Sequence, residues 1–380
     1  MKTHCVLTTD WHLDQQFPDN RVSTTILSFL DLLKDEIKPN MLIHAGDIFN
    51  SKKPGGTAVE VATIFFSEIS KICDHIVILP GNHDIDAYRK DTAVDFLDDL
   101  GLECDLQIMY EPTLVGDYLF MPYMRSIPDE TKRLITQARY IIAHQGYENA
   151  TVNGSRIYGK RKDAIPADLI SPEQVLLSGH IHIPWASESM NVVFPGAPYQ
   201  RYYSDPLMDR GFLEFDLEDI RGTLSMTEYP NNFKLVKDEI KISEFLPKKQ
   251  LLNKLPPLLD RTFYSIIVAT EKKLAPTEER KVGDTVRGYY GVQLEDFAIV
   301  SIVPRDERTV YSTLKQAASN SLGVKPNEIL MTYLKTTAPA YFEANHDLLS
   351  KIGSEFEDIT EYIDETYLNR KDKYNRKTAN

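Results

Sequence analysis

Eight polar residues stand at the ends of five short apolar runs in this 380-residue chain. The runs read CVLTTDWH (5–12), MLIHAGD (41–47), HIVILPGNHD (75–84), YIIAHQG (140–146) and VLLSGHIH (175–182). They deliver Asp10, His12, Asp47, Asn82, His83, His144, His180 and His182. Carboxylate, amide oxygen and imidazole make a mixed hard and borderline donor set. Such a set suits Mn²⁺, Fe²⁺ or Zn²⁺ and fits poorly with a thiolate-rich structural zinc site. An Asp after a strand is ordinarily a turn residue or helix cap, and a lone His beside an apolar run is ordinarily structural. Here five of the nine histidines fall in these tails. Together the tails describe a two-metal site at one edge of a sheet.

The elements that must position them alternate. Between the first two runs, Val22, Ile26, Phe29, Leu30, Leu33 and Ile37 recur at helical spacing, and Pro39 ends that helix. Val59, Ala62, Phe66, Ile69 and Cys73 mark a second helical face. Shorter helices are predicted over 92–100 and 131–139. Strands alternating with helices imply βαβ units and a mainly parallel sheet, with ligands outside the carboxyl ends of its strands. Asp10 and His12, two apart beyond a strand, point the same way at period 2. MNVVFPG (190–196), RGFLEFDL (210–217) and TLSMTEYP (223–230) read as strands of a second sheet. Residues 231–255 read as a connection. TFYSIIVATE (262–271) and FAIVSIVP (297–304) are strands of a small α+β module, separated by a polar segment at 272–290. From about 308 the pattern is helical. Phe342, Leu348, Leu349, Ile352, Phe356, Ile359 and Ile363 form an apolar stripe suited to a partner groove.

Composition narrows the class. Hydrophobic residues make up 42%, enough for a sizeable core. Cys5, Cys73 and Cys104 form no CxxC pair, which points to a reducing cytoplasm. Met1 leads straight into a strand-like segment, and no apolar stretch is long enough to span a bilayer. Net charge is −13. Whole-chain acidity argues against a nucleic-acid binder, but local basic groups matter more. Asn50, Lys52 and Lys53 follow the second tail. Arg156, Lys160, Arg161 and Lys162 crowd a loop beside Tyr158, and Arg201, Tyr202 and Tyr203 follow GAPYQ. Asn50, Lys52, Arg156, Lys160, Arg161 and Arg201 are candidate substrate contacts through phosphate, and Tyr158 through base stacking. His44 and His75 are structural, and His346 is surface.

DxH, GD, GNHD, H and GHxH, in that order and spacing, resemble the calcineurin-like metallophosphoesterases. TTDWHL, HAGDIF, LPGNHD, SGHIH and PGAPYQ…RGF narrow the resemblance to the SbcD-type repair and recombination nuclease subunits and their phage counterparts. The resemblance implies a four-layer α/β/β/α sandwich over 1–230, a DNA-binding capping domain over 231–307, and a helical region over 308–380. Those C-terminal helices would bind an SMC-like ATPase large subunit. It implies two divalent metals, most characteristically Mn²⁺. One would be held by Asp10, His12, Asp47 and His182, the other by Asp47, Asn82, His144 and His180. Two divalent ions bring four positive charges; Asp10, Asp47 and a bridging hydroxide bring three negative, so the site attracts a phosphodiester. His83 would be the catalytic non-ligand histidine, with Asp84 orienting it or capping the next helix. The implied activity is 3′→5′ exonuclease on duplex DNA and endonuclease on single strands, in a homodimer in the cytoplasm (of the host, for a phage protein). The chain departs from the pattern once: Asn50 stands where many members carry a second histidine, which bears on exonuclease strength. The alternative is a small-molecule phosphodiesterase or protein phosphatase on the same fold.

Overall fold

Alternate side chains of the N-terminal runs face opposite ways, and that alternation builds the layers. The structure is a computed structural model and describes residues 2–15, 17, 19–85, 92–152 and 156–301. Strands β1 (His4–Thr8), β2 (Met41–His44), β3 (His75–Ile78) and β4 (Asp105–Ile108) lie parallel, with Leu7 opposite Ile43 and Ile43 opposite Val77. Helices α1 (Arg21–Leu32) and α2 (Gly56–Ile69) make the crossovers. Beyond α1 the chain widens into a π turn over Leu33–Ile37. Left-handed Lys38 (φ 51°) then closes it, directly before Pro39. The run expected to be helical over 92–100 is a short 3₁₀ helix, Asp95–Leu100.

The second sheet takes β5 (Thr113–Val115), β6 (Tyr118–Met121), β7 (Tyr140–Ala143), β12 (Val175–Ser178), β13 (Trp185–Ala186) and β14 (Val192–Phe194), in the order β13-β14-β12-β7-β6-β5. Helix α3 (Asp129–Gln137) connects β6 to β7. Between β7 and β12 lie four two-residue strands: β8 (Gly146–Tyr147), β9 (Thr151–Val152), β10 (Arg156–Ile157) and β11 (Ala164–Ile165). The strands expected over 190–230 do not share one sheet. β14 joins the second sheet, whereas β15 (Gly211–Asp216) and β16 (Ser225–Glu228) return antiparallel to the first, beside β1. α4 (Ile220–Thr223) turns the chain between them. Sequence periodicity marks a strand but not its neighbour, so this choice was open.

Three apolar layers follow. Val6, Leu42 and Ile76 meet Phe29, Phe65 and Phe66 on the helix side. Leu7, Ile43 and Val77 meet Ile142 and Leu177 between the sheets. Ile141 and Leu176 meet Ile135 of α3 on the far side. Each such side chain, fully buried, contributes about 1.5–3 kcal/mol. The result is the expected α/β/β/α sandwich.

Two expectations fail downstream. The connection at 231–255 contains β17 (Lys234–Ile242), in which Leu235, Ile240 and Ile242 are buried. Five charged residues on that strand hide its apolar side. The polar segment at 272–290 contains α6 (Pro276–Tyr290), whose Val282, Val286 and Tyr290 recur four apart and are buried. With α5 (Lys248–Leu252) between, β17, β18 (Thr262–Thr270) and β19 (Leu294–Ser301) form a third sheet. The chain divides into two compact units. One holds Met1–Ile240, Lys248–Ile267 and Gly283–Ala298; the other draws on Lys241–Pro247 and Val268–Val282. The predicted helices beyond 308, the 342–363 stripe and His346 lie outside the described residues. Among the described residues no helix is long and apolar enough to cross a membrane.

Candidate metal centre

The five tails meet where the parallel strands of both sheets end. Their backbone is unusual: Asp10 (φ 55°), His12 (φ 45°), Asp47 (φ 57°) and His180 (φ 79°) are all left-handed. Side chains other than Gly adopt this region at a cost and hold it only when the surroundings over-determine it. Asp10 and His12 therefore reach the site through two tight turns, not through the strand alternation their spacing suggested. Three backbone bonds lace their loop to the next one: Asp10 N–H to Gly46 O (2.9 Å), His12 N–H to Asp47 O (3.1 Å) and Leu13 N–H to Ile48 O (3.0 Å). Trp11 between them points into the core, against Phe65 at 4.6 Å and His44 at 4.5 Å between ring centres. Two glycines permit the approach of the tails. A Cβ on Gly81 would overlap Asp47 Oδ1 and its backbone N, and one on Gly179 would overlap Thr9 Oγ1 and Ala45 O.

One donor from each of Asp10, His12, Asp47 and His182 lies within 4.8 Å of all the others. His12 Nε2 is 3.8 Å from Asp10 Oδ1 and 3.6 Å from Asp47 Oδ2, and His182 Nε2 is 3.7 Å from Asp10 Oδ1. Donors held about 2.0–2.2 Å from one ion at tetrahedral angles lie about 3.3–3.6 Å apart, so these three separations are slightly wider than those of a loaded site. A second group adjoins it. His144 Nε2 lies 3.4 Å from Asp47 Oδ2 and 3.3 Å from Asn82 Oδ1, and His180 Nδ1 lies 2.7 Å from Asn82 Oδ1. Asp47 Oδ1 accepts the His83 N–H at 2.8 Å, whereas buried Asp47 Oδ2, which faces both groups, has no hydrogen-bond partner. An orphaned carboxylate oxygen among imidazole nitrogens is what a bridging metal ligand requires.

The rings are held by their other nitrogens. His144 Nδ1 donates to Ala45 O at 2.6 Å. Tyr158 donates to Asp163 Oδ2 at 3.0 Å and so accepts from His180 Nε2 at 2.8 Å. Burial, then the neighbouring His144, pushes His180 down to about 4, so its ring is neutral, and its Nδ1 approaches Asn82 Oδ1 to 2.7 Å. Burial, then Arg201, likewise holds His12 and His182 well below the usual imidazole value. Burial raises Asp10 to about 7 and opposes ionisation of Asp47, but His144 and His12 outweigh it and hold Asp47 well below the carboxylate range. Burial also opposes charging of His144, and Asp47 overcomes this to raise it to about 9. A cation entering the second group must therefore displace a proton from His144.

Other candidates fall into place unevenly. His83 stands beside both groups, its ring centre 4.9 Å from that of His12. Its Nδ1 donates to the backbone carbonyl of Asn50 at 2.8 Å, which leaves Nε2 for chemistry. This contact does not depend on which side chain position 50 carries. The Asn50 side chain accepts from Arg201 Nη2 at 2.7 Å. Asn50 and Lys53 line a cleft of about 570 Å³ with Asp14, Gln15, Ser51, Gly55 and Tyr202. Lys52 is exposed nearby. Arg156 is exposed on β10, Lys160 faces Glu148 at 3.6 Å, and Arg161 donates to Asp163 at 3.2 Å. Arg161 also lies over the Tyr158 ring, its Cζ 4.8 Å from the ring centre, and Tyr158 is committed to His180. Among the described residues the Asp84 side chain neither bonds the His83 ring nor caps a helix. Its buried carboxylate accepts the N–H groups of Asp47 (2.8 Å), Gly81 (2.9 Å) and Phe49 (3.2 Å). Motif spacing carried no signal for Tyr158 or Asp163 as supports, because they enter from a loop with no fixed offset to the tails.

A family model described as calcineurin-like phosphoesterase matches residues 4–194, half of the chain. The chain belongs to the calcineurin-like phosphoesterases. With the Asp and His cluster in place it is a metal-dependent phosphoesterase. Among curated proteins, the SbcD component of the nuclease SbcCD from Escherichia coli K12 is 32% identical over 80 residues, 20% of each chain. The match spans about a fifth of that relative. Among solved structures, phosphopantetheinyl hydrolase from Mycobacterium tuberculosis aligns over 52% of this chain and 90% of its own, at 13% identity and a TM-score of 0.32. Nuclease MPE from Pseudomonas putida aligns over 56% and 87%, at 13% identity and a TM-score of 0.29.

Proposed function

We propose that this phosphoesterase is a Mn²⁺-dependent DNA nuclease subunit of SbcD type. Asp10, His12, Asp47 and His182 hold one divalent ion, and Asp47, Asn82, His144 and His180 hold the other. The observation that carries the two-ion reading is the unpartnered Asp47 Oδ2, shared by both donor groups. The stretch shared with the SbcD component of the nuclease SbcCD supports DNA as the substrate. When bound, such an ion pair polarises a phosphodiester and lowers the pKa of water. The chain's own groups do the rest. The His83 N–H fixes Asp47 Oδ1 and so aims Oδ2, and Ala45 O and Tyr158 OH fix the rings of His144 and His180. His83, oriented by the Asn50 carbonyl, donates a proton from Nε2 to the leaving oxygen. Lys53 and Arg201 attract the phosphate backbone. In this reading residues 231–307 cap the DNA, 308–380 bind an SMC-like ATPase, and the protein works as a cytoplasmic homodimer.

A cleft of about 570 Å³ also lies within the range of small-ligand sites and favours the second reading, a small-molecule phosphodiesterase. The test is Mn²⁺-dependent digestion of end-labelled duplex and circular single-stranded DNA, beside an aryl phosphodiester. DNA cleavage that His83→Ala abolishes while bound metal is retained is the expected result. Turnover of the aryl ester with neither DNA cut, with and without an ATPase partner, would refute the nuclease assignment.

A further inference from the structure

Arg201 is 3% exposed, and its guanidinium sits against the first donor group. Nη1 donates to His12 Nε2 at 2.9 Å and lies 2.9 Å from His182 Nε2 and 3.2 Å from its Nδ1. Nη2 donates to Gln15 Oε1 at 2.8 Å and Asn50 Oδ1 at 2.7 Å, both lining the cleft. Nε is buried without a partner. The side-chain hydrogen-bond partners supplied by the described residues are two imidazoles and two amides, and the Tyr202 ring lies 5.5 Å from the guanidinium carbon. Among the described residues no carboxylate is hydrogen-bonded to this buried guanidinium, which is costly, and an anion in contact with it relieves that cost. A ring nitrogen has one lone pair, so His12 Nε2 serves the guanidinium or a metal ion, not both. The two positive charges also repel at this range.

We propose that Arg201 couples the first metal site to the substrate cleft. Its guanidinium competes with the divalent ion for His12 and His182. Displaced by the ion, it turns on its Gln15 and Asn50 side into the cleft and binds the phosphate of the substrate there. No covalent step is involved. The inference rests on the assignment of His12 and His182 to a metal, and not on DNA being the substrate. Asn50 gains a role in it as the acceptor that steadies the displaced guanidinium.

Competition of this kind lowers apparent metal affinity by the fraction of time the nitrogens are free. A guanidinium that holds them nine-tenths of the time costs about tenfold. The experiment measures Mn²⁺ binding by calorimetry and by the spin-resonance signal of free Mn²⁺, without substrate, for the full chain and its R201M and R201K variants. Inorganic phosphate is then titrated into the Mn²⁺-loaded proteins. R201M is expected to bind the first ion about tenfold more tightly and phosphate about tenfold more weakly, with R201K between R201M and wild type. Far-ultraviolet dichroism checks the fold, and R201K keeps charge and bulk where R201M does not. Weaker binding of both metal and phosphate by R201M would show that Arg201 only props up the two histidines, and would overturn the proposal. Unchanged metal affinity would also overturn it while leaving the metal assignment standing. A wild-type chain that binds no Mn²⁺ would overturn both.

Discussion

Replacing Asp84 by Asn removes one oxygen from a buried carboxylate and changes almost nothing in size. Oδ2 serves the N–H groups of Asp47 and Gly81, and Oδ1 serves that of Phe49. The amide keeps a single acceptor, so its NH₂ must face at least one buried N–H. A buried donor left unmade costs about 1–3 kcal/mol, and hydrogen bonds to a charged group are worth about 1.5–3 kcal/mol. Part of this is offset, because burial and then Asp47 already raise Asp84 to about 7, so the carboxylate carries a penalty that the amide escapes. The net expectation is about 2–3 kcal/mol of lost stability, or about 5–10 °C in Tm for a domain of this size. The function suffers separately. The Asp47 N–H is one of the three anchors, and its loss lets Oδ2 drift from both donor groups. Mn²⁺ affinity should fall about 10–100-fold, the usual scale for supports behind metal ligands. Scanning calorimetry of metal-free protein and Mn²⁺ titration read the two effects. A variant with the wild-type Tm and the wild-type Mn²⁺ affinity would refute the claim that these three bonds set the Asp47 carboxylate.

Two further predictions concern groups away from catalysis. Burial pushes His44 down to about 3 from 6.5, and neither ring nitrogen has a partner. An unfolded chain takes up this proton below about pH 6.5 while the folded one refuses it, so stability falls as pH drops from 6.5 toward 3. The full term is about 4–5 kcal/mol. Urea unfolding of His44→Phe between pH 7.5 and 4.5 should show a flatter acid limb than wild type, and parallel limbs would contradict it. Burial pushes the Cys5 and Cys73 thiols up to about 12, whereas Cys104 is only partly covered and its thiol is raised less. At pH 8 an aromatic disulfide reagent should label Cys104 alone in the folded protein and all three thiols in urea. Rapid native labelling of Cys5, read by mass spectrometry, would show that the first sheet opens more easily than its packing implies.

Much of the sandwich was legible because its causes are local. Apolar runs of four residues ending in Asp, His or Asn mark parallel strands whose ends share one edge. The helical spacing of Val22, Ile26, Phe29 and Leu30 marks α1. β17 and α6 were missed because charged side chains on their wet faces outnumber the few buried residues that define their period. The split of β14 from β15 was missed because pairing partners are chosen by distant packing, not by the strand's own residues.

The same division runs through the site. The sequence by itself determined the polar tails: seven candidate metal donors and His83, their order and their types, and so a metal-dependent phosphoester chemistry. Only the tertiary structure decided how they are held. Left-handed turns aim Asp10, His12, Asp47 and His180, and the Asp84 carboxylate gathers three N–H groups under the bridging loop. Tyr158 supports His180 from a loop read as a DNA contact, and the Arg201 guanidinium lies against the first donor group. Ligand type is a property of single residues, whereas support and competition depend on contacts between segments up to 189 positions apart. Local pattern in a chain carries no trace of such contacts.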